Sequence, residues 1–142
     1  MRGMDETGST FVLPPEITKG ATLHGNEYRW KPTAFPDALR NAETLGYGCL
    51  GGQFQFVWAN DPKYNKYELY WLCADSSPYV KGEPWPEYCH RSCSEVLDVF
   101  RRLMAETDFR AKVPWINPTS ELVFVAYFVT EAEIAGDTSG NR

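Results

Sequence analysis

Apolar and polar residues alternate over several short stretches of the chain and recur at helical spacing over two longer ones. The stretch "EYRW", Glu27 to Trp30, alternates and predicts a short strand. In "FPDALRNAETLG" apolar positions recur every three or four residues, Pro36 suits a first turn and Gly46 suits the end. This pattern predicts a helix of about three turns after the strand.

Two alternating stretches follow this helix. In the first, "GGQFQFVWAN", alternate aromatic side chains are expected on one face: Phe54, Phe56 and Trp58. In the second, "KYELYWLCAD", the same spacing selects Tyr67, Leu69, Trp71 and Cys73. The intervening "NDPKYN" is longer than the tightest turns, so the two stretches predict an antiparallel hairpin with an extended loop.

The longest predicted helix lies in "PWPEYCHRSCSEVLDVFRRLM", from Pro84 to Met104. At 100° per residue its apolar side chains fall within an arc of about 120°. They are Trp85, Cys89, Cys93, Val96, Leu97, Phe100, Leu103 and Met104. The later stretch "ELVFVAYFV" is apolar on both faces, which predicts a central strand.

The element order is therefore strand, helix, strand, strand, helix, strand. It predicts an α+β, ferredoxin-like split βαβ fold (β-α-β-β-α-β), with two helices covering one face of an antiparallel sheet. A length of 142 residues fits one domain. We expect that domain to span residues 10–134, with loosely ordered polar tails at 1–9 and 135–142.

Charge restricts the partners of this domain. Fourteen basic and nineteen acidic side chains give a net charge of −5, and no run of Lys and Arg forms a basic patch. Such a chain repels phosphate backbones and anionic membranes, so we expect neither nucleic acid nor membrane as a partner. The N-terminus lacks the apolar segment of a signal peptide and no apolar run could span a bilayer, which favours a cytoplasmic location.

The stretch "GGQFQFVW" resembles the aromatic strand of the RNA-recognition motif, a family with the same order of strands and helices. The resemblance implies base stacking by Phe54 and Phe56. The alternative is that both rings pack in the core on the helix-facing side, and the acidic charge of the chain favours this alternative.

Four cysteines raise the question of a metal or a reactive thiol. Cys89 and Cys93 lie one helical turn apart and could share a zinc ion, but further ligands do not occur at the spacing typical of zinc motifs. Core packing is favoured, with no metal and no cofactor. Cys49 follows a helix C-terminus, whose partial negative charge raises a thiol pKa and disfavours a nucleophile.

The segment from Asp75 to Tyr88, which includes "PYVKGEPWPEY", combines carboxylates, aromatic rings and prolines, as binding hot spots do. We predict a partner-binding surface there, formed by Asp75, Tyr79, Glu83, Trp85 and Glu87; the alternative is a plain connection. The favoured function is a small acidic interaction protein without a cofactor, for example a bacterial inhibitor or toxin-immunity protein that binds a basic protein surface.

A small-ligand-binding protein or enzyme with a pocket between sheet and helices near Cys49 is the alternative to an interaction protein. In that case His24 or His90 would be expected near the pocket. A homodimer formed through a sheet face is compatible with either function, because the chain has more aromatic residues than one core needs.

Overall fold

The structure, a computed structural model, describes residues 12–58 and 66–134. The helices are α1 (Pro15–Thr18), α2 (Phe35–Thr44), α3 (Trp85–Glu106) and α4 (Phe109–Lys112). The strands are β1 (Ala21–His24), β2 (Glu27–Trp30), β3 (Gly48–Val57), β4 (Lys66–Asp75) and β5 (Glu121–Val129). The predicted tails at 1–9 and 135–142 and the hairpin loop at 60–65 lie outside the described residues.

The five strands form one antiparallel sheet in the order β1-β2-β5-β3-β4. β5 is the last strand in sequence, yet it lies between β2 and β3. Its four central residues, Val123, Phe124, Val125 and Ala126, are all buried. The prediction that this apolar stretch forms a central strand is confirmed.

The mixed α+β class is confirmed, but the ferredoxin-like topology is wrong. β1 adds a fifth strand, and β5 inserts between β2 and β3 instead of lying at an edge. The α2 connection therefore crosses β5, and the α3 connection crosses β3. β1 was missed because its side chains are half-buried or exposed and leave no apolar alternation.

Helices α2 and α3 pack on one face of the sheet, and aromatic rings fill the space between. Phe35 of α2 lies 4.6 Å from Phe124 of β5, measured between ring centroids. Phe54 of β3 lies 4.8 Å from Phe124 and 5.4 Å from Phe100 of α3. Phe54 and Phe56 are fully buried, so they are core residues and cannot stack on nucleic-acid bases.

The predicted apolar stripes of the helices are confirmed except at their ends. In α3, Cys89, Cys93, Val96 and Phe100 are buried. Leu45, which follows α2, and Met104, near the end of α3, are exposed. Both exceptions lie where the helix axis has passed the edge of the core.

The predicted alternation of β4 is wrong in its second half. Gln53 pairs with Cys73, but the next residue, Phe54, pairs with Leu69, so β4 carries a bulge of three residues: Tyr70, Trp71 and Leu72. The bulge changes which side chains face the helices. Leu72 and Ala74 are buried, whereas Trp71 and Cys73 are exposed.

Candidate functional site

The sheet face opposite the helices contains a groove, which we call the open-face groove. Its volume is about 380 Å³. It is lined by Glu27, Leu50, Gly51, Gly52, Gln53, Glu68, Tyr70, Cys73, Asp75 and Tyr127. The groove therefore lies over the middle of the sheet, with residues from β2, β3, β4 and β5 around it.

Gly51 lines the groove between two residues that have long or charged side chains. It pairs with Asp75 on one side and Tyr127 on the other, so a row of three positions has side chains only at its ends. Its φ is 132°, and a Cβ there would lie 2.5 Å from Oδ1 of Asp75 and 2.7 Å from the carbonyl oxygen of Ala74. Only glycine fits this position without displacing the neighbouring strand.

A polar network crosses the groove. Tyr127 donates a hydrogen bond to Glu27 (3.2 Å), and Nζ of Lys66 lies 3.2 Å from Glu27 and 3.1 Å from Glu68. Gln53 donates to the other oxygen of Glu68 at 3.1 Å. β2 and β4 are three strand spacings apart, so the contact between Glu27 and Lys66 spans the two intervening strands, β5 and β3.

Contacts within the network shift the pKa values of its members. Hydrogen bonds from Gln53 and Lys66 lower the pKa of Glu68. Burial raises the pKa of Tyr127, and the nearby carboxylate of Glu27 raises it further. Burial lowers the pKa of Lys66, but hydrogen bonds to Glu68 and Glu27 outweigh burial and leave that pKa above its ordinary value. The network thus holds one ammonium between two carboxylates.

Asp75 is the groove carboxylate outside this network. It is exposed and forms no ion pair with any described residue. Its carboxylate raises the pKa of Cys73, although burial of that thiol contributes more. The groove therefore has a surplus of negative charge at its Asp75 end.

Exposed apolar side chains surround the same end. Tyr70 is 70% exposed and meets Trp71 edge to face at 5.1 Å. Leu50 and Tyr127 are also exposed. Aromatic rings beside a carboxylate without a cationic partner are typical of protein-binding surfaces.

The predicted binding residues divide into two groups. Asp75 lines the open-face groove, whereas Tyr79, in the connection that follows, contacts both Glu83 and Trp85, the first residue of α3. The Tyr79 hydroxyl donates to the carbonyl oxygen of Glu83 at 2.9 Å. Glu87 is exposed in the first turn of α3. We call residues 75–87 the acidic loop.

The rings of the acidic loop form a packed cluster on α3. Trp85 lies 5.8 Å from Tyr79 and 5.0 Å from Tyr88 between ring centroids. Nε1 of Trp85 donates to the carbonyl oxygen of Gly46 at 2.8 Å, which ties the loop to the end of α2. These contacts hold Tyr79 and Trp85 half-buried in fixed positions.

Arg91 of α3 fixes the acidic loop through ion pairs and hydrogen bonds. Its guanidinium pairs with both oxygens of Glu83, at 2.8 and 2.9 Å, and donates to the carbonyl oxygens of Ser77 and Pro78. The hydrogen bond with Arg91 lowers the pKa of Glu83. The carboxylate of Glu83 is therefore paired within the protein and stabilises the loop. Asp75 and Glu87 are the predicted acidic residues whose charge faces solvent.

Cys49 is fully buried, and burial raises its pKa well above the ordinary value. Burial likewise raises the pKa of Cys89 to about 11 and that of Cys93 to about 12. Within residues 12–58 and 66–134, no group of three or more His, Cys, Asp and Glu side chains could hold a metal ion.

A second cavity, of about 620 Å³, lies at the far end of the core. It is lined by Phe56, Ala105, Glu106, Thr107, Asp108, Phe109, Arg110 and Leu122. Cys49, His24 and His90 line neither this cavity nor the open-face groove. His90 instead contacts Glu43 at 2.8 Å on the surface.

Of the ten residues that line the groove, sequence reasoning assigned only Asp75 to a binding surface; the nine that it missed include Glu27, Gly51, Glu68 and Tyr127. The alternating pattern places Glu27 and Glu68 on the polar face of their strands, which is the one available signal. Their proximity depends on the strand order and the bulge, which the alternation does not contain.

No protein-family model, curated protein or solved structure matches this chain. Among the helices of the described ranges, none combines the length and the apolar character needed to cross a bilayer.

Proposed function

We propose that this protein is a cofactor-free interaction protein that binds a basic protein partner through the acidic loop and the adjoining open-face groove. The observation that carries the proposal is a preorganised aromatic loop that begins at Asp75, a carboxylate without a cationic partner within residues 12–58 and 66–134. Small acidic inhibitors, including toxin-immunity proteins, are the class of interaction protein that this combination fits.

Preorganisation supports binding because a loop that is already ordered loses little conformational entropy on docking. Arg91 fixes the loop backbone through the carbonyl oxygens of Ser77 and Pro78, and Trp85 fixes it to Gly46. The exposed tip at Val80 is thereby presented in one conformation. A partner would meet a rigid surface rather than a flexible connection.

Charge supports a basic partner. The chain has a net charge of −5, and Asp75 and Glu87 are both exposed at the ends of the acidic loop. Long-range attraction of this kind accelerates the encounter of oppositely charged proteins and depends on salt concentration. We assign Asp75 and Glu87 to this attraction, and Tyr79 and Trp85 to shaping the loop.

The test begins with affinity capture of the partner from the source organism, followed by binding kinetics with the purified partner. The variant Asp75→Lys/Glu87→Lys is compared with Asp98→Lys/Glu131→Lys, which makes the same change of charge at exposed positions elsewhere. We expect the loop variant to associate about tenfold more slowly at low salt, with a flatter salt dependence, and the control to change much less.

If the partner is an enzyme, one equivalent of this protein should also inhibit it. An acidic partner, or equal association rates for the two charge-reversed variants, would contradict the proposal.

A further inference from the structure

We propose that the open-face groove is a pocket for one lysine or arginine side chain of the partner, with Asp75 as its counter-ion. This inference rests on the proposed function and adds to it the chemical group that the groove recognises. Three observations on the groove support it, and each concerns a different property.

The first observation is how the groove's charges are paired. Lys66 pairs with Glu27 and Glu68 at 3.2 and 3.1 Å, so this sheet face already holds one ammonium group between carboxylates. Asp75 lines the same groove and has no cationic partner among the described residues. The arrangement has room for a second cation at the Asp75 end.

The second observation is shape. Gly51 leaves the row between Asp75 and Tyr127 without a central side chain, and the resulting groove measures about 380 Å³. This volume lies at the lower end of the range for small-ligand pockets, roughly 300 to 1,000 Å³. A single long side chain fits such a space, whereas a helix or a folded loop would not.

The third observation is the aromatic wall. Tyr70 lines the groove and is 70% exposed, so its ring is available to an incoming group. Aromatic faces attract ammonium and guanidinium groups electrostatically. Because the groove presents both a carboxylate and a tyrosine ring, an organic cation is the favoured occupant. The absence of a metal-binding group of side chains in the described ranges agrees with this choice.

The experiment uses the full chain labelled with ¹⁵N and three short capped peptides as probes. Ac-Gly-Lys-Gly-NH₂ and Ac-Gly-Arg-Gly-NH₂ present the proposed groups, and Ac-Gly-Nle-Gly-NH₂ presents an uncharged chain of similar length. We expect the two cationic peptides to shift the amide signals of Gly51, Gly52 and Asp75 in a saturable manner that salt weakens. The norleucine peptide should leave these signals unchanged.

Three variants assign the interaction. Asp75→Asn keeps the size of the side chain and should weaken binding of the cationic peptides about fivefold, as expected for one charge-assisted contact at an exposed site. Asp98→Asn, at an exposed position on α3, should bind like the unmodified protein. Tyr70→Leu offers an independent test, because this exposed ring can be removed without disturbing the core.

Several outcomes would overturn the groove assignment. These are equal shifts with the norleucine peptide, unchanged affinity in Asp75→Asn and Tyr70→Leu, or groove shifts that depend on protein concentration alone, which would identify a second copy as the occupant. If the peptides fail but the charge-reversed loop variant still slows partner association, only the groove assignment falls. If the peptides bind but no basic partner exists, the proposed function falls.

Discussion

Gln55 gives the sharpest test of how the open face is built. Its side chain is fully buried on β3, an inner strand, and its amide oxygen and nitrogen both lack a partner among the described residues. Methionine has a similar length and shape but no amide to desolvate. We therefore predict that Gln55→Met stabilises the protein.

The magnitude follows from the cost of the buried amide. Burying such a group without hydrogen bonds costs about 1–3 kcal/mol in proteins. The free energy of unfolding should increase by about the same amount, because methionine fills the space and adds apolar contacts. For a chain of this size, 1 kcal/mol corresponds to roughly 3 °C in Tm, so an increase of about 3–9 °C is expected.

Urea denaturation of the two proteins measures this difference, with the slope expected to stay unchanged. Gln53→Met is the matched control, two residues away on the same face. Gln53 is half-buried and donates to Glu68 at 3.1 Å, so its replacement should cost about 0.5–1.5 kcal/mol. A Gln55→Met variant that is less stable by more than about 1 kcal/mol would show that the amide is hydrogen-bonded in the native protein and would refute the reasoning.

Three further outcomes are expected. Gly51→Ala should lower the free energy of unfolding by about 1–3 kcal/mol in thermal or urea unfolding, because its Cβ would meet the β4 backbone. Gly82→Ala is the control: open space surrounds this position, so the free energy of unfolding should fall by only about 1 kcal/mol, owing to the positive φ. Alkylation of the native protein followed by mass spectrometry should modify exposed Cys73 first and the three buried cysteines much more slowly; equal rates would contradict the burial. The lowered pKa of Glu68 contributes stability above its ordinary value of 4.5, and this contribution is lost as the pH falls through the lowered value. The stability difference between the unmodified protein and Glu68→Gln should therefore shrink on acidification below that value, and a difference independent of pH would contradict the ion pair.

The helices and most strands could be predicted because their signals are local. The apolar stripe of α3 depends on the spacing of Cys89, Cys93, Val96 and Phe100, and all four are buried as expected. β5 is apolar on both faces, and this pattern predicted its central position correctly, because such a strand has to be covered on both sides. These predictions needed no knowledge of which strand pairs with which.

The strand order was predicted wrongly because it was taken from the order of elements alone. A ferredoxin-like sheet places its last strand at an edge. An edge position does not suit β5, because β5 is apolar on both faces. The observed order removes this conflict by inserting β5 between β2 and β3. The remaining differences depend on β1, whose pattern is weak, and on the bulge in β4. That bulge leaves no mark in the alternation of "KYELYWLCAD", because Trp71 and Leu72 are both apolar and either could face the core.

Asp75 shows how the topology changes the interpretation of a site. By sequence it begins an acidic loop and is grouped with Glu83 and Glu87. In the fold, Glu83 is neutralised by Arg91, and Asp75 lies beside Gly51 in the open-face groove, where its charge has no cationic partner among the described residues. Asp75 is thus the one residue shared by the predicted loop and the missed groove. In the proposed complex the groove end should contribute more to binding than Glu83, because a carboxylate without an ion pair next to an exposed tyrosine can contribute more than one already paired within its own chain.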